Sequence, residues 1–409
     1  MSEPAALTEM DGKQASKHVA DRITAGDIEA AWVFAEQAHT HYPEHVRLTD
    51  HVIALRRHFG ETASALELAI TNAERHRRRF GKRREQKRPE RALGPEQRIF
   101  LSGYFYSGSG AVFDYLSDHA GCVPWRPGGE FRLIKFPGGL FALARRHARK
   151  GKLTKKMLLD LYLHLCGQRI VTVPKGTYDR WRMVNNNSRR LHRSEIARGY
   201  LMRCYEQYLA LIERSQQGRI GTEELEERLR EWVRVALDAA AADADADRLL
   251  IDQAVTAWRL PMARLAPPST FIVVHRDPRD QFVEAREVLS RPGRRSTTVV
   301  DFAGTYRKRR RAARRAMPMI EREFGHTFLT TSFERFVLDH EHEAARLKKE
   351  LGLDGVPRTA NSFDPAVSRA NVGKSRGELR RGERLVLATL LLPYLDPSVG
   401  RSRIAAPEA

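Results

Sequence analysis

The sequence predicts an α/β protein: a three-layer α/β/α arrangement around a P-loop-type parallel sheet, preceded by an all-α helical-repeat region. Three observations carry this. Residues 98–118, RIFLSGYFYSGSGAVFDYLSD, run from an apolar strand through a glycine- and serine-rich loop into an amphipathic helix. Apolar runs at Ile99–Leu101, Ile170–Val173, Phe271–Val274 and Thr327–Leu329 each precede turn residues or a polar helical stretch, the alternation that builds a parallel sheet. Small residues in 17–75 recur at a fixed interval.

That interval is 34 residues: Ala20 and Ala54, Arg22 and Arg56, Gly26 and Gly60, Ala31 and Ala65, Ala35 and Ala69. It is the tetratricopeptide period, in which paired helices approach through small residues. An ordinary helical bundle would carry the same alanines. Two such units bury little alone, so residues 1–75 are expected to lean on the following domain or on a protein partner. Residues 76–96 include the end of the basic run ERHRRRFGKRREQKRPER (74–91), which lacks apolar periodicity and reads as a linker.

The α/β domain is expected over 97–395, with a helical insert at about 190–260 and a tail at 396–409. In the insert, YLMRCYEQYLALIERS and TEELEERLREWVRVALDAAAA place apolar residues three and four apart. In the first loop, the strand–turn–helix aims backbone N–H groups and the positive helix end at one point, a cradle for phosphate or sulfate. Gly103 and Gly108 have the spacing of the triphosphatase loop, but Ser109 and Gly110 stand where its Lys and Ser/Thr would be. The loop is therefore suited to holding an anion without splitting a triphosphate.

Composition narrows the partners. The 409 residues carry a formal charge of +20 and are 42% hydrophobic, which fits a globular chain with polyanionic partners. Cys122, Cys166 and Cys204 are far apart, without the spacing of a zinc site or a disulfide framework, and the 15 His residues show no metal-ligand pattern; no metal is implied. No apolar run approaches the ~18 residues of a membrane span, and MSEPAALTEMDGKQ lacks a secretory pattern. A cytoplasmic protein is expected, with peripheral contact at the inner face of an anionic membrane left open. No aromatic-interleaved motif argues for nucleic acid.

Over roughly residues 97–380, the chain resembles the sulfotransferases that use 3′-phosphoadenosine 5′-phosphosulfate (PAPS), in particular bacterial, glycan-type members. Tyr106-Ser107-Gly108-Ser109-Gly110, followed by Ala111, matches the SG[ST] core of the family's 5′-phosphosulfate loop, with Tyr106 where Lys or Arg is usual. TFIVVHRDPRDQFVEAR (270–286) matches the strand ending in Arg-[DN]-Pro-x-[DE], which implies that Arg276 holds the 3′-phosphate. The usual Ser eight positions on is Glu284, expected to turn away or to pair with Arg279 or Arg286. SRANVGKSRGEL (368–379) is similar to the late loop over the nucleotide, with Gly373, Lys374 and Ser375 as its core. TTSFERFVLDHEHEAARLKKELGL resembles the family's strand and [YF]-E turn, giving Phe333, Glu334 and Phe336 a structural role.

Two further residues are implied by the resemblance as catalytic. Glu130, in PGGEFRLIKF, falls where glycan-type members carry the general base, the alternative being a surface carboxylate or a partner of Arg132. Lys175, in VTVPKGTYDRW, falls near the family's Lys-[ST]-Pro-x-Tyr stretch and would stabilise developing charge, replacing the cation missing at Tyr106; Tyr178 would support that loop. The resemblance thus implies transfer of a sulfuryl group to a hydroxyl, or less favoured an amine, of an anionic or neutral glycan, leaving adenosine 3′,5′-bisphosphate. The basic run at 307–315 reads either as a solvated helix face or as an electrostatic trap for that acceptor. Two other readings stay open at this point: a P-loop nucleotide kinase, and a non-catalytic glycan- or membrane-binding protein around a degenerate nucleotide site.

Overall fold

The computed structural model describes residues 10–82, 89–104, 106–119, 121–127, 129–170, 180–289, 297–353 and 363–396. Two compact units emerge. The first takes in 1–92, 127–175 and 179–245, and the second 93–126, 176–178 and 246–409.

Among its described residues the first unit is built mainly of helices. Helices Gly12–Ala25 and Ile28–His41 form one pair, and Val46–His58 and Thr62–Lys82 the next, each starting 34 residues after its counterpart. Asp11 starts the series with a capping box shared with Gln14. Gly26 and Gly60 close equivalent positions at φ 89° and 93°, and Ala31, Ala35, Ala65 and Ala69 are fully buried where the helices meet. Helix Lys155–Cys166 packs beside this repeat through a buried polar knot. Asp50 accepts hydrogen bonds from Tyr162 Oη (2.5 Å) and Asn72 Nδ2 (2.9 Å) and lies 3.1 Å from His76 Nε2. Burial alone would raise the Asp50 carboxyl, but the charge and hydrogen bond of His76 and the Tyr162 hydroxyl leave it below its ordinary value. The long helices Arg198–Gln216 and Thr222–Ala244 belong to this unit as well.

The second unit is built on a five-stranded parallel sheet in the order β2-β3-β1-β4-β5. Its strands are β1 (Arg98–Gly103), β2 (Cys122–Trp125), β3 (Arg248–Asp252), β4 (Thr270–His275) and β5 (Thr327–Ser332). Alternation along the strands sorts the core onto two faces. Ile99, Leu101, Leu250, Ile272 and Val274 meet Val112, Phe113 and Leu116 of helix Ser109–Ser117 and Phe336 and Leu347 of the helices after β5. Phe100, Phe271 and Phe328 file across the opposite face with ring centroids 4.9 and 5.2 Å apart.

Three strands match the apolar runs read from the sequence, and the other two do not. Ile170 belongs to no strand, and Val171–Val173 fall outside the described residues. The strands missed are β2 and β3, the latter inside the stretch read as a helical insert. Pro124 in β2 is tolerated because β2 is an edge strand. β3 and β4 flank β1 and bring Asp252, Gly103 and His275 to one sheet edge. Ligands of open parallel sheets bind at such carboxyl ends.

Candidate functional site

Helix Ser109–Ser117 follows β1 in the chain, and its first amides have no carbonyl of their own helix to bond. Gly108 caps that helix at φ 75°, and a Cβ there would run into the Phe333 ring, so glycine is required twice over. Ser107 is 2% exposed, yet its Oγ has no hydrogen-bond partner among the described residues. Buried hydroxyls are normally satisfied, so this one marks a place for an acceptor. Ser109 Oγ accepts from Gln253 Nε2 at 2.7 Å. Ala111, expected to cradle the anion, instead donates its N–H back to Gly108 at 3.0 Å.

Tyr106 and Gln253 hold positive φ values of 50° and 52° without being glycine. They make two of the three such residues among those described. Strain of this kind collects where surrounding structure enforces a working geometry. Two contacts do the enforcing. Arg276 Nη1 donates to the Tyr106 carbonyl at 3.0 Å, and the Gln253 N–H donates to Leu101 O at 3.0 Å.

The motif RDPRD then divides its labour. Arg276, buried with its guanidinium 4.9 Å from the Phe333 ring centre, sends Nη2 to Asn371 O at 2.6 Å and so joins the first loop to the late one. Asp277 pairs with Arg279 (2.7 Å) and accepts the Asp396 N–H at 3.0 Å. Asp280, fully buried, accepts the N–H groups of Gly373 (2.7 Å) and Ser375 (2.9 Å) and fixes the Gly-Lys-Ser turn, with Gly373 at φ 77°. Glu334 accepts the Asp277 N–H at 2.8 Å from below. Burial pushes the Glu334 carboxyl up to about 8, against the pull of that hydrogen bond.

Glu284 departs from its expected orientation. Arg279 is taken by Asp277 and Arg286 by Glu383 at 3.3 Å, whereas Glu284 Oε1 lies 3.2 Å from Lys374 Nζ and 3.6 Å from Arg276 Nη1. It faces the cation pair.

Other residues of the site were not read from the sequence. Arg126, after β2, lies 3.7 Å over the Phe113 ring and pairs with Asp252 (3.2 Å) and Asp114 (3.4 Å) on the flank of the loop helix. Gln253 escaped for the same reason as Asp252: Asp252 ends the unrecognised β3 and Gln253 follows it. Arg310, from helix Val299–Phe324, leaves the basic face and points inward to contact His275 Nδ1, 5.0 Å from the Tyr104 ring centre. Burial, reinforced by that guanidinium, lowers the His275 ring to about 3. Arg307, Lys308, Arg311, Arg314 and Arg315 remain exposed.

Ser107, Gly108, Ser109, Gly110, Arg276, Gly373, Lys374 and Ser375 thus all lie in the second unit. Glu130 lies in the first, where its carboxylate pairs with Lys135 at 2.5 Å, and Arg132 donates to Ser188 Oγ at 2.8 Å. Lys175 and Tyr178 lie outside the described residues. No group of three His, Cys, Asp or Glu with metal-holding geometry occurs among the described residues.

The fold defines an α/β protein in which two glycine-bearing loops meet near the carboxyl ends of the strands. A family model described as Sulfotransferase family matches residues 165–357, just under half of the chain. The match takes in β3, β4, β5, Arg276 and Glu284 but neither the 103–110 loop nor Lys374, and it supports sulfuryl transfer. No curated protein matches the chain.

Proposed function

We propose that the protein is a sulfotransferase that moves the sulfuryl group of PAPS to a hydroxyl of a glycan, releasing adenosine 3′,5′-bisphosphate. The observation that carries this is the reach of Arg276 from the end of β4 to both Tyr106 and Asn371, which ties two anion-directed loops to one guanidinium. The residues fit the donor. Ser107 Oγ is buried without a partner, and the Ser109 and Gly110 amides open the loop helix, so this loop is assigned the 5′-phosphosulfate. Arg276 is assigned the 3′-phosphate through its fork of donors, and the turn Gly373–Ser375 the cover over the nucleotide.

In the transfer, the acceptor oxygen forms a bond to sulfur as the bond from sulfur to the 5′-phosphate oxygen breaks. The leaving phosphate keeps the electron pair, and the acceptor proton goes to a carboxylate. Glu130 is the proposed base and Lys175 the proposed charge stabiliser; both rest on the sequence resemblance alone. The five exposed cations of the 307–315 run support capture of an anionic acceptor, or docking on an anionic membrane face inside the cell. No helix among the described residues is long and apolar enough to cross a membrane. The helix pairs at 12–82 support a tetratricopeptide-like platform for a protein partner.

Labelled-sulfate transfer over a panel of glycans tests the reading. Turnover with PAPS, lost in Glu130→Gln, is the expected result. Nucleotide binding without turnover on any acceptor would favour a second reading, a non-catalytic binding protein, for which Glu284 is the specific support.

A further inference from the structure

Among the described residues, Glu284 contributes the one anion at the cation pair that a ligand can replace. Its carboxylate is 21% exposed and spans Lys374 Nζ at 3.2 Å and Arg276 Nη1 at 3.6 Å, the second beyond hydrogen-bond length. The other acceptors around it are fixed. Tyr106 O and Asn371 O are backbone carbonyls, and Asp280 is fully buried with both oxygens on the amides of the late loop. Lys374 is itself 32% exposed, and Glu284 is its one carboxylate partner among the described residues.

A carboxylate and a phosphate ask the same thing of a guanidinium and an ammonium, and two anions on one cation pair repel. We propose that Glu284 is an intramolecular competitor for the 3′-phosphate of the donor, a specificity-determining residue that must swing into solvent before a 3′-phosphorylated nucleotide can seat. The inference rests on the nucleotide reading given above. Its consequence is selective: a nucleotide without a 3′-phosphate has no claim on Arg276 and Lys374 and is not opposed by Glu284.

The test compares the intact wild-type protein with Glu284→Ser and Glu284→Gln. Each is titrated at low salt with adenosine 3′,5′-bisphosphate and with adenosine 5′-phosphate, after matched thermal melts show that all three are folded. Both variants are expected to bind the bisphosphate about tenfold more tightly or better, with adenosine 5′-phosphate changed less than about twofold. Tightening by Ser but not by Gln would assign the effect to bulk rather than charge and overturn the proposal. Unchanged or weaker bisphosphate binding in both variants would also overturn it while leaving the nucleotide site standing. Failure of all three proteins to bind either nucleotide would remove the underlying reading and the inference with it.

Discussion

Arg276 donates through Nη1 to the carbonyl oxygen of Tyr106 at 3.0 Å, so the end of β4 holds the loop at the end of its neighbour β1. The bond explains two sequence oddities together. Tyr106 stands where a cation is usual in the resembling family, and its backbone sits at φ 50°. The Arg276 guanidinium reaches this loop from the next strand, through the Tyr106 backbone.

Arg276→Ala removes two charge-assisted hydrogen bonds, each worth about 1.5–3 kcal/mol. The variant should lose at least about tenfold in affinity for adenosine 3′,5′-bisphosphate, and Arg276→Lys, with one point charge and no fork, should recover only part of it. Equal affinities for all three proteins by calorimetry would reject the role of Arg276 in the nucleotide site.

Gly108→Ala places a methyl group against Phe333 and forces an L-residue to φ 75°. The left-handed backbone alone costs about 1–3 kcal/mol, so the melting temperature should fall and nucleotide affinity with it. A variant that melts and binds like the wild type would show that the loop adopts another path.

Asp280→Ala frees the Gly373 and Ser375 amides, leaving donors unsatisfied at about 1–3 kcal/mol each unless water enters. The expected signature is faster amide exchange confined to 371–376 and weaker nucleotide binding. Asp280→Asn, which keeps an acceptor, should lie between. Exchange unchanged in the late loop would contradict the clamp.

Glu334 gives a pH dependence of defined sign. Its folded carboxyl titrates near 8 against an ordinary 4.5, so between those values the folded chain holds a proton that the unfolded chain has lost. Its contribution to stability is therefore fullest at the acid end, falls as pH rises from about 4.5 to about 8, and is flat above. Glu334→Gln keeps an acceptor for the Asp277 N–H and cannot titrate. The melting temperature of the variant should gain on the wild type steadily from pH 5 to pH 8; a constant difference would show that Glu334 is ionised throughout.

Much of the candidate site was legible because it is written locally. Strands at 99–101, 271–274 and 327–329 are apolar runs closed by turn residues, and the loops at 107–110 and 373–375 carry glycines at positions of positive φ or close approach. What escaped depends on distant neighbours. β3 offers only Leu249, Leu250 and Ile251 as apolar residues, directly after an alanine-rich helix whose periodicity runs into it, and its identity as a strand comes from pairing with β1 about 150 residues earlier. Asp252 and Gln253 were lost with it. The direction of Glu284 is set by Lys374, which lies 90 residues further on, and local sequence offered Arg279 and Arg286 as equally plausible partners. Asp280 was visible as the final acid of its motif, but its work on the late loop belongs to the tertiary fold.

Calorimetric titration of the intact, folded protein with adenosine 3′,5′-bisphosphate at low salt tests the central claim most directly. Saturable binding at one site per chain, weakened by Arg276→Ala, is the predicted result. Absence of saturable binding by wild-type protein and by Glu284→Ser alike would contradict it.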